Sequence, residues 1–114
     1  MSLGKQGEEL AVKFLRKKGY KIKVCNYKTR LGEIDIIAGD GETLVFVEVK
    51  TRESLMYGQP FESVNNHKKK KLAMVAMLYL KKYAEVPPCR FDVVSIYINN
   101  GTPECELIKD AFEV

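Results

Sequence analysis

Cysteine and histidine are scarce in this chain of 114 residues, and their scarcity excludes several kinds of site. The cysteines Cys25, Cys89 and Cys105 lie far apart and form no C-x-x-C pair, which argues against a zinc knuckle and favours reduced thiols. His67 is the only histidine, so a metal site built on two histidines is excluded. A Ser-His-Asp triad would have to use His67, and no nucleophile-elbow sequence accompanies it.

Long apolar runs are also lacking. No run approaches the roughly 20 residues that a membrane-spanning helix needs. The first ten residues lack the apolar centre of a signal peptide. These two observations predict a cytoplasmic protein with no membrane contact, and the length predicts a single domain over residues 1–114.

The composition is that of a globular protein with a mild positive charge. Hydrophobic residues make up 46% and charged residues 30%, and the formal net charge is +4. Such a charge permits a polyanionic partner without requiring one. Four consecutive lysines, from Lys68 to Lys71, concentrate part of it. This run has two interpretations, a solvated helix start or a phosphate-binding surface.

The hydrophobic pattern predicts a helix, three strands, a second helix and two strands. Their approximate bounds are 5–18, 20–27, 33–38, 43–51, 66–84, 91–99 and 104–109. This order indicates an α/β domain with a mixed sheet flanked by helices. The second helix is apolar around most of its circumference, which predicts burial on more than one side, in the core or in a homodimer contact.

Charged residues interrupt two apolar strands. Asp35 lies within Ile34–Ala38, and both Glu48 and Lys50 lie in or beside Leu44–Val49. A charge among Val, Ile and Phe is costly to desolvate unless it is paired or binds a ligand. These three residues are therefore the first candidates for a functional site.

The predicted hairpin brings these charges together. Glu48 and Lys50 are two residues apart and share a face of their strand. With Asp40 and Gly41 as the two turn residues, Asp35 lies opposite Phe46 and one diagonal step from Glu48. A slip of one residue would send Asp35 to the other face, so convergence depends on this register.

This set of residues suits a metal-dependent phosphodiesterase. Asp35, Glu48 and the backbone carbonyl of Val49 are hard oxygen ligands for Mg²⁺ or Mn²⁺. Lys50 would orient water or stabilise transition-state charge. Glu8 falls on the flank of the apolar face of the first helix, where it would hold a water or a second metal ion.

Basic residues near these elements are candidate nucleic-acid contacts. Lys68 and Lys69 open the second helix, where backbone N–H groups also favour anions. Arg52 ends the third strand and is equally well explained as a surface residue. Arg30 belongs to a basic loop between the first two strands. Asp92 is expected to form a structural ion pair with Arg90, two residues earlier.

Motifs along nearly the whole chain occur in the order of a known family. They are G-E-E-L-A at Gly7–Ala11, N-Y at Asn26-Tyr27, G-E-I-D-I-I at Gly32–Ile37, V-F-V-E-V-K-T-R at Val45–Arg52, Val64 before Lys68, and R-F-D-V-V at Arg90–Val94. The chain resembles the PD-(D/E)xK nuclease superfamily. Within it the closer resemblance is to the YraN-like bacterial family, itself similar to archaeal Holliday-junction resolvases.

The resemblance implies a restriction-endonuclease-like fold with an α-β-β-β-α-β core. It also implies that Glu8, Asp35, Glu48 and Lys50 occupy the metal and catalytic positions, with Lys68 as a further basic position. Ile34 stands where the superfamily label has proline, a departure that is frequent in the superfamily.

The expected function is a metal-dependent endonuclease acting on DNA, with branched or damaged DNA among its candidate substrates. A fold resemblance alone does not establish activity. One alternative is a nucleic-acid-binding module with little or no turnover. Another is an interaction subunit of a repair or processing assembly. The presence of Asp35, Glu48 and Lys50 together favours the endonuclease, since a site under no selection readily loses such costly charges.

Overall fold

Two helices and five strands follow one another in the predicted order. The computed structural model describes residues 2–53 and 66–112. The elements are α1 (Leu3–Lys17), β1 (Lys21–Thr29), β2 (Gly32–Asp40), β3 (Thr43–Arg52), α2 (Asn66–Leu80), β4 (Cys89–Asn99) and β5 (Thr102–Ile108). The prediction of a mixed α/β fold is confirmed, and the arrangement is consistent with a restriction-endonuclease-like fold.

The five strands form one sheet in which spatial order equals chain order, β1-β2-β3-β4-β5. Neighbouring strands are antiparallel except for β3 and β4, which are parallel. The parallel pair follows from the connection, because α2 lies between these strands in the chain and crosses from the end of one to the start of the other.

Among the described residues, one helix packs on each face of the sheet. On one face α1 contributes Ala11 and Leu15 to a core with Val45 and Val47 of β3. On the other face α2 contributes Leu72, Val75, Ala76 and Tyr79 to a second core, which includes Leu44 and Phe46 of β3. The alternation of β3 between these cores explains why its sequence is apolar without interruption before Glu48.

The helix ends differ from those predicted. Helix α1 begins at Leu3 because Ser2 caps it, its hydroxyl accepting a hydrogen bond from the Lys5 N–H at 3.2 Å. Helix α2 ends at Leu80 rather than near Ala84. Beyond Leu80 the hydrogen bonds join residues that are three apart, as in a 3₁₀ turn. The Lys81 N–H donates to the Leu78 carbonyl and the Tyr83 N–H donates to the Leu80 carbonyl.

The hairpin turn lies one residue later than predicted. Asp40 pairs with Thr43, so the turn residues are Gly41 and Glu42, with Gly41 at a φ of 60°. The predicted Asp40-Gly41 turn is wrong, since a glycine in the first central position favours the mirror-image turn that matches strand twist. Phe46 accordingly pairs with Ile37. This changes the register by two residues, and a shift of two preserves the face of each side chain.

Helix α2 is buried on one side within this chain. Leu72, Val75 and Tyr79 face the sheet, while Met74 and Met77 are 48% and 66% exposed. The prediction that the core of this chain buries α2 on more than one side is therefore wrong. The homodimer stays a prediction.

None of the helices in the described part of the chain is long and apolar enough to cross a membrane.

A buried polar network joins the hairpin end of the sheet to β4. Asp92 is fully buried and accepts hydrogen bonds from the Tyr20 hydroxyl at 3.0 Å, Arg90 Nε at 2.9 Å and the Asp110 N–H at 2.9 Å. Arg90 also donates to Asp40 at 2.8 Å. Burial and the nearby Asp92 charge raise the pKa of Tyr20 to about 12. The predicted Arg90–Asp92 pair is confirmed.

Replacing Asp92 should destabilise the fold strongly. We expect Asp92→Ala to lower the free energy of unfolding by about 3 kcal/mol, because Arg90 and the Tyr20 hydroxyl lose their buried partner. Urea denaturation measures the change, with Glu104→Ala on exposed β5 as the control. Equal stability of the two variants would contradict this prediction, because it would show that the Asp40–Arg90 contact maintains the stability of the fold without Asp92.

Candidate functional site

The sheet opens between β2 and β3. The ladder between them pairs Ile36–Asp40 with Thr43–Val47. Beyond it, residues 32–34 stay paired with β1 and residues 48–52 stay paired with β4. At the point of separation the Val49 N–H donates to Oδ2 of Asp35 at 2.8 Å. A side-chain carboxylate thus takes the hydrogen bond that a β2 carbonyl would otherwise accept.

A cleft of about 290 Å³ lies at this opening, against the first turns of α1. Both acidic and basic side chains line it. They include Glu8 from α1, Glu33 and Asp35 from β2, and Glu48, Lys50 and Arg52 from β3. The structure therefore places Glu8, Asp35, Glu48 and Lys50 in one cleft, as the sequence predicts. Their catalytic and metal-binding roles stay predictions.

Three carboxyl groups converge in the cleft. Oxygens of Glu8, Glu33 and Asp35 all lie within 4.8 Å of one another. Like charges this close are unfavourable in a partly buried setting unless a proton or a cation compensates them. The cluster is therefore the part of the described chain best suited to a hard divalent cation.

The environment of Asp35 shows this electrostatic strain. Burial and the negative charge of Glu48 raise the pKa of Asp35 to about 7, against the opposing effect of the Val49 N–H. Asp35 and Glu48 line the same cleft, so the two side chains share one side of the sheet, as the hairpin predicts.

Two lysines meet on one oxygen of Glu48. Oε1 of Glu48 lies 3.6 Å from Nζ of Lys50 and 3.2 Å from Nζ of Lys68. Burial and the neighbouring Lys68 side chain lower the pKa of Lys50. Burial acts on Lys68 in the same direction, but the adjoining Lys50 side chain and the charge of Glu48 outweigh it and raise the pKa of Lys68.

The remaining predicted nucleic-acid contacts are dispersed. Arg52 lines the cleft and donates to the Thr51 carbonyl at 3.2 Å. Arg30 is exposed in the turn between β1 and β2. Lys69 points elsewhere, with its Nζ 5.5 Å from the centre of the Phe112 ring. Of the two lysines predicted together at the start of α2, Lys68 contacts Glu48 and Lys69 packs on an aromatic ring.

Glu33 is the acidic cleft residue that the sequence analysis missed. It lies two residues before Asp35 in β2, so a period of two would have placed both on one side of the strand. Its position at the predicted strand boundary concealed this relation, because a charge at a strand end is ordinary.

Gly7 allows α1 to bring Glu8 to the sheet. Gly7 is buried, and a Cβ at this position would overlap Oγ1 of Thr51. The close approach therefore depends on the missing side chain. Since Glu8 follows directly, the contact between Gly7 and Thr51 fixes where this carboxylate enters the cleft.

Alanine substitutions at two glycines of α1 should have opposite effects on stability. Gly7→Ala should lower the free energy of unfolding by about 1–3 kcal/mol, because α1 must move away from Thr51. Gly4→Ala meets no atom within 4 Å and should be neutral or stabilising by up to about 1 kcal/mol, from helix propensity. Thermal or urea unfolding compares them. A stabilised Gly7→Ala variant would contradict this account of the packing.

Comparison with known proteins identifies the family. The profile of the uncharacterised protein family UPF0102 matches residues 7–96. The chain belongs to the UPF0102 family. This is the YraN family indicated by the sequence motifs, a PD-(D/E)xK nuclease-like group, so that assignment is confirmed.

UPF0102 proteins of several bacteria are similar over most of their length. The protein of Symbiobacterium thermophilum is 49% identical over 112 residues, covering 96% of this chain and 95% of the relative. That of Geobacter metallireducens is 46% identical over 114 residues, covering 99% and 93%. That of Chlorobium limicola is 54% identical over 96 residues, covering 83% and 74%. Their names state a family and no activity.

Proposed function

We propose that this protein is a metal-dependent endonuclease that hydrolyses phosphodiester bonds in DNA. The observation that supports this most directly is the convergence of four carboxyl groups and two lysines where β2 and β3 separate. A structural role alone does not account for so many charges in one cleft, because each carries a desolvation cost that apolar side chains would avoid.

The residues present fit a hard divalent cation. Asp35 and Glu48 are neighbours, and the carboxyl groups of Glu8 and Glu33 lie beside Asp35. Burial, and after it the charge of Glu48, raises the pKa of Asp35, so a nearby cation would stabilise its ionised form. We assign Asp35, Glu48 and the Val49 carbonyl as ligands of Mg²⁺ or Mn²⁺, with Glu8 holding a water or a second ion. A bound ion would polarise a phosphoryl oxygen and acidify a coordinated water.

Lys50 supplies positive charge inside the cleft. Its side chain is 14% exposed and its ammonium lies beside Glu48, so water screens it little. A cation in this position stabilises the negative charge that develops on phosphate oxygens during hydrolysis. We assign Glu8 of α1, whose carboxylate lies beside those of Glu33 and Asp35, to orient a water.

Four basic residues, two at the cleft and two elsewhere on the surface, are the proposed contacts for the nucleic-acid backbone. Arg52 lines the cleft and Lys68 reaches it from the first turn of α2. Arg30 is in the turn that leads into β2, and Lys69 follows Lys68. Together with a formal net charge of +4, these residues favour a polyanionic substrate.

Metal binding is the first test. Mn²⁺ titrated into the protein in a calorimeter should show saturable binding, weakened at least about tenfold in Asp35→Asn, because the variant removes a ligand charge. Glu9→Gln is the matched control, since Glu9 is exposed on α1 next to Glu8. Absence of binding to the unmodified protein, or equal weakening in both variants, would contradict the proposed site.

Cleavage is the second test. With Mg²⁺ or Mn²⁺ the protein should cut duplex, single-stranded or four-way-junction DNA, and Lys50→Ala should lower the rate by about a hundredfold or more without weakening metal binding. Lys17→Ala, on the exposed last turn of α1, should cut normally. Metal-dependent binding of DNA without cleavage would instead indicate a binding module. Binding of neither metal nor DNA would indicate an interaction subunit.

A further inference from the structure

We infer that Lys68 is a built-in competitor of the divalent cation for Glu48, and that a substrate phosphate relieves this competition by attracting the Lys68 ammonium. The inference rests on the proposed function and adds a regulatory property to the same site. Under it, the cleft binds metal weakly while it is empty and more tightly when a nucleic acid lies across it.

The contact between Lys68 and Glu48 joins two separate elements. Glu48 is in β3 and 8% exposed, while Lys68 belongs to the first turn of α2. Nζ of Lys68 is nevertheless the nearer of the two ammonium groups to Oε1 of Glu48, at 3.2 Å against 3.6 Å for Lys50. Lys50 shares the strand and face of Glu48, so its proximity is expected from the sequence. The approach of Lys68 adds a second positive charge to the same oxygen.

The positive charges in the cleft are unevenly distributed. Both lysines contact Glu48, while Asp35 next to it lies in the cluster of carboxyl groups with Glu8 and Glu33. A divalent cation shared by Asp35 and Glu48 would have to approach two ammonium groups, and like charges at such distances repel strongly in a partly buried cleft. Metal binding is therefore favoured when one of the two lysines moves away.

Lys68 is the lysine able to move. Its side chain is 37% exposed, whereas that of Lys50 is 14% exposed. A long side chain on the first turn of a helix can rotate toward solvent without disturbing the sheet. Lys68 belongs to the first turn of α2, where the backbone N–H groups also favour an anion. A phosphate would therefore be attracted by the Lys68 ammonium and by these N–H groups.

This arrangement couples the two ligands thermodynamically. A phosphate that takes the Lys68 ammonium lowers the cost of placing a cation on Glu48. By linkage, a bound cation equally favours the phosphate. Substrate and metal should therefore bind with positive cooperativity that depends on Lys68.

The first arm of the test uses metal alone. Mn²⁺ should bind Lys68→Met and Lys68→Gln at least about fivefold more tightly than the unmodified protein. Lys81→Met is the matched control, because it removes the same charge from an exposed position just after α2. Equal or weaker binding by the Lys68 variants, or the same gain in Lys81→Met, would overturn the inference.

The second arm adds a nuclease-resistant phosphorothioate duplex. The duplex should tighten Mn²⁺ binding to the unmodified protein at least about fivefold and leave the affinity of Lys68→Met nearly unchanged. Coupling that is absent in the unmodified protein, or retained in the variant, overturns the inference while leaving the metal site intact. Failure of the unmodified protein to bind Mn²⁺ in both conditions overturns the proposed function as well.

Discussion

The hydrogen bond from the Val49 N–H to Asp35 is the contact on which the cleft depends. Where it forms, the backbone ladder between β2 and β3 has ended, and the part-buried Val49 N–H would otherwise lack a protein partner. The carboxylate satisfies that N–H and at the same time faces the cleft. One side chain therefore both ends the strand pairing and supplies the proposed metal ligand, so β2 cannot close onto β3 without displacing it.

The cost of this arrangement is electrostatic. Glu8, Glu33 and Asp35 lie together, and Glu48 is almost entirely removed from solvent. Lys50 and Lys68 contact Glu48, whereas burial and the charge of Glu48 raise the pKa of Asp35 in the acidic cluster. Sites that bind substrates or ions commonly retain such unfavourable charge, because it strengthens the binding of an oppositely charged ligand.

Sequence reasoning was most successful where a charge interrupts an apolar run. Asp35, Glu48 and Lys50 could be predicted because their local environment makes them costly in any sheet. The turn and Glu33 were harder, since Asp40-Gly41 and Gly41-Glu42 are both acceptable hairpin turns and a charged strand end is ordinary. The different contacts of Lys68 and Lys69 could not be predicted from the sequence. Consecutive helical residues point about 100° apart, but which one meets the sheet depends on how α2 docks.

The two ends of the β2–β3 pair have opposite roles. At the hairpin end Asp40 contacts Arg90, and Arg90 in turn holds the buried Asp92, so β2, β4 and the residue that precedes β1, Tyr20, are fixed together. Five residues along β2, Asp35 holds the strands apart. Because the closed end is stabilised by its own polar network, the open end can retain unpaired backbone and excess negative charge without loss of the register. Stability and the candidate chemistry are thus assigned to opposite ends of one strand pair.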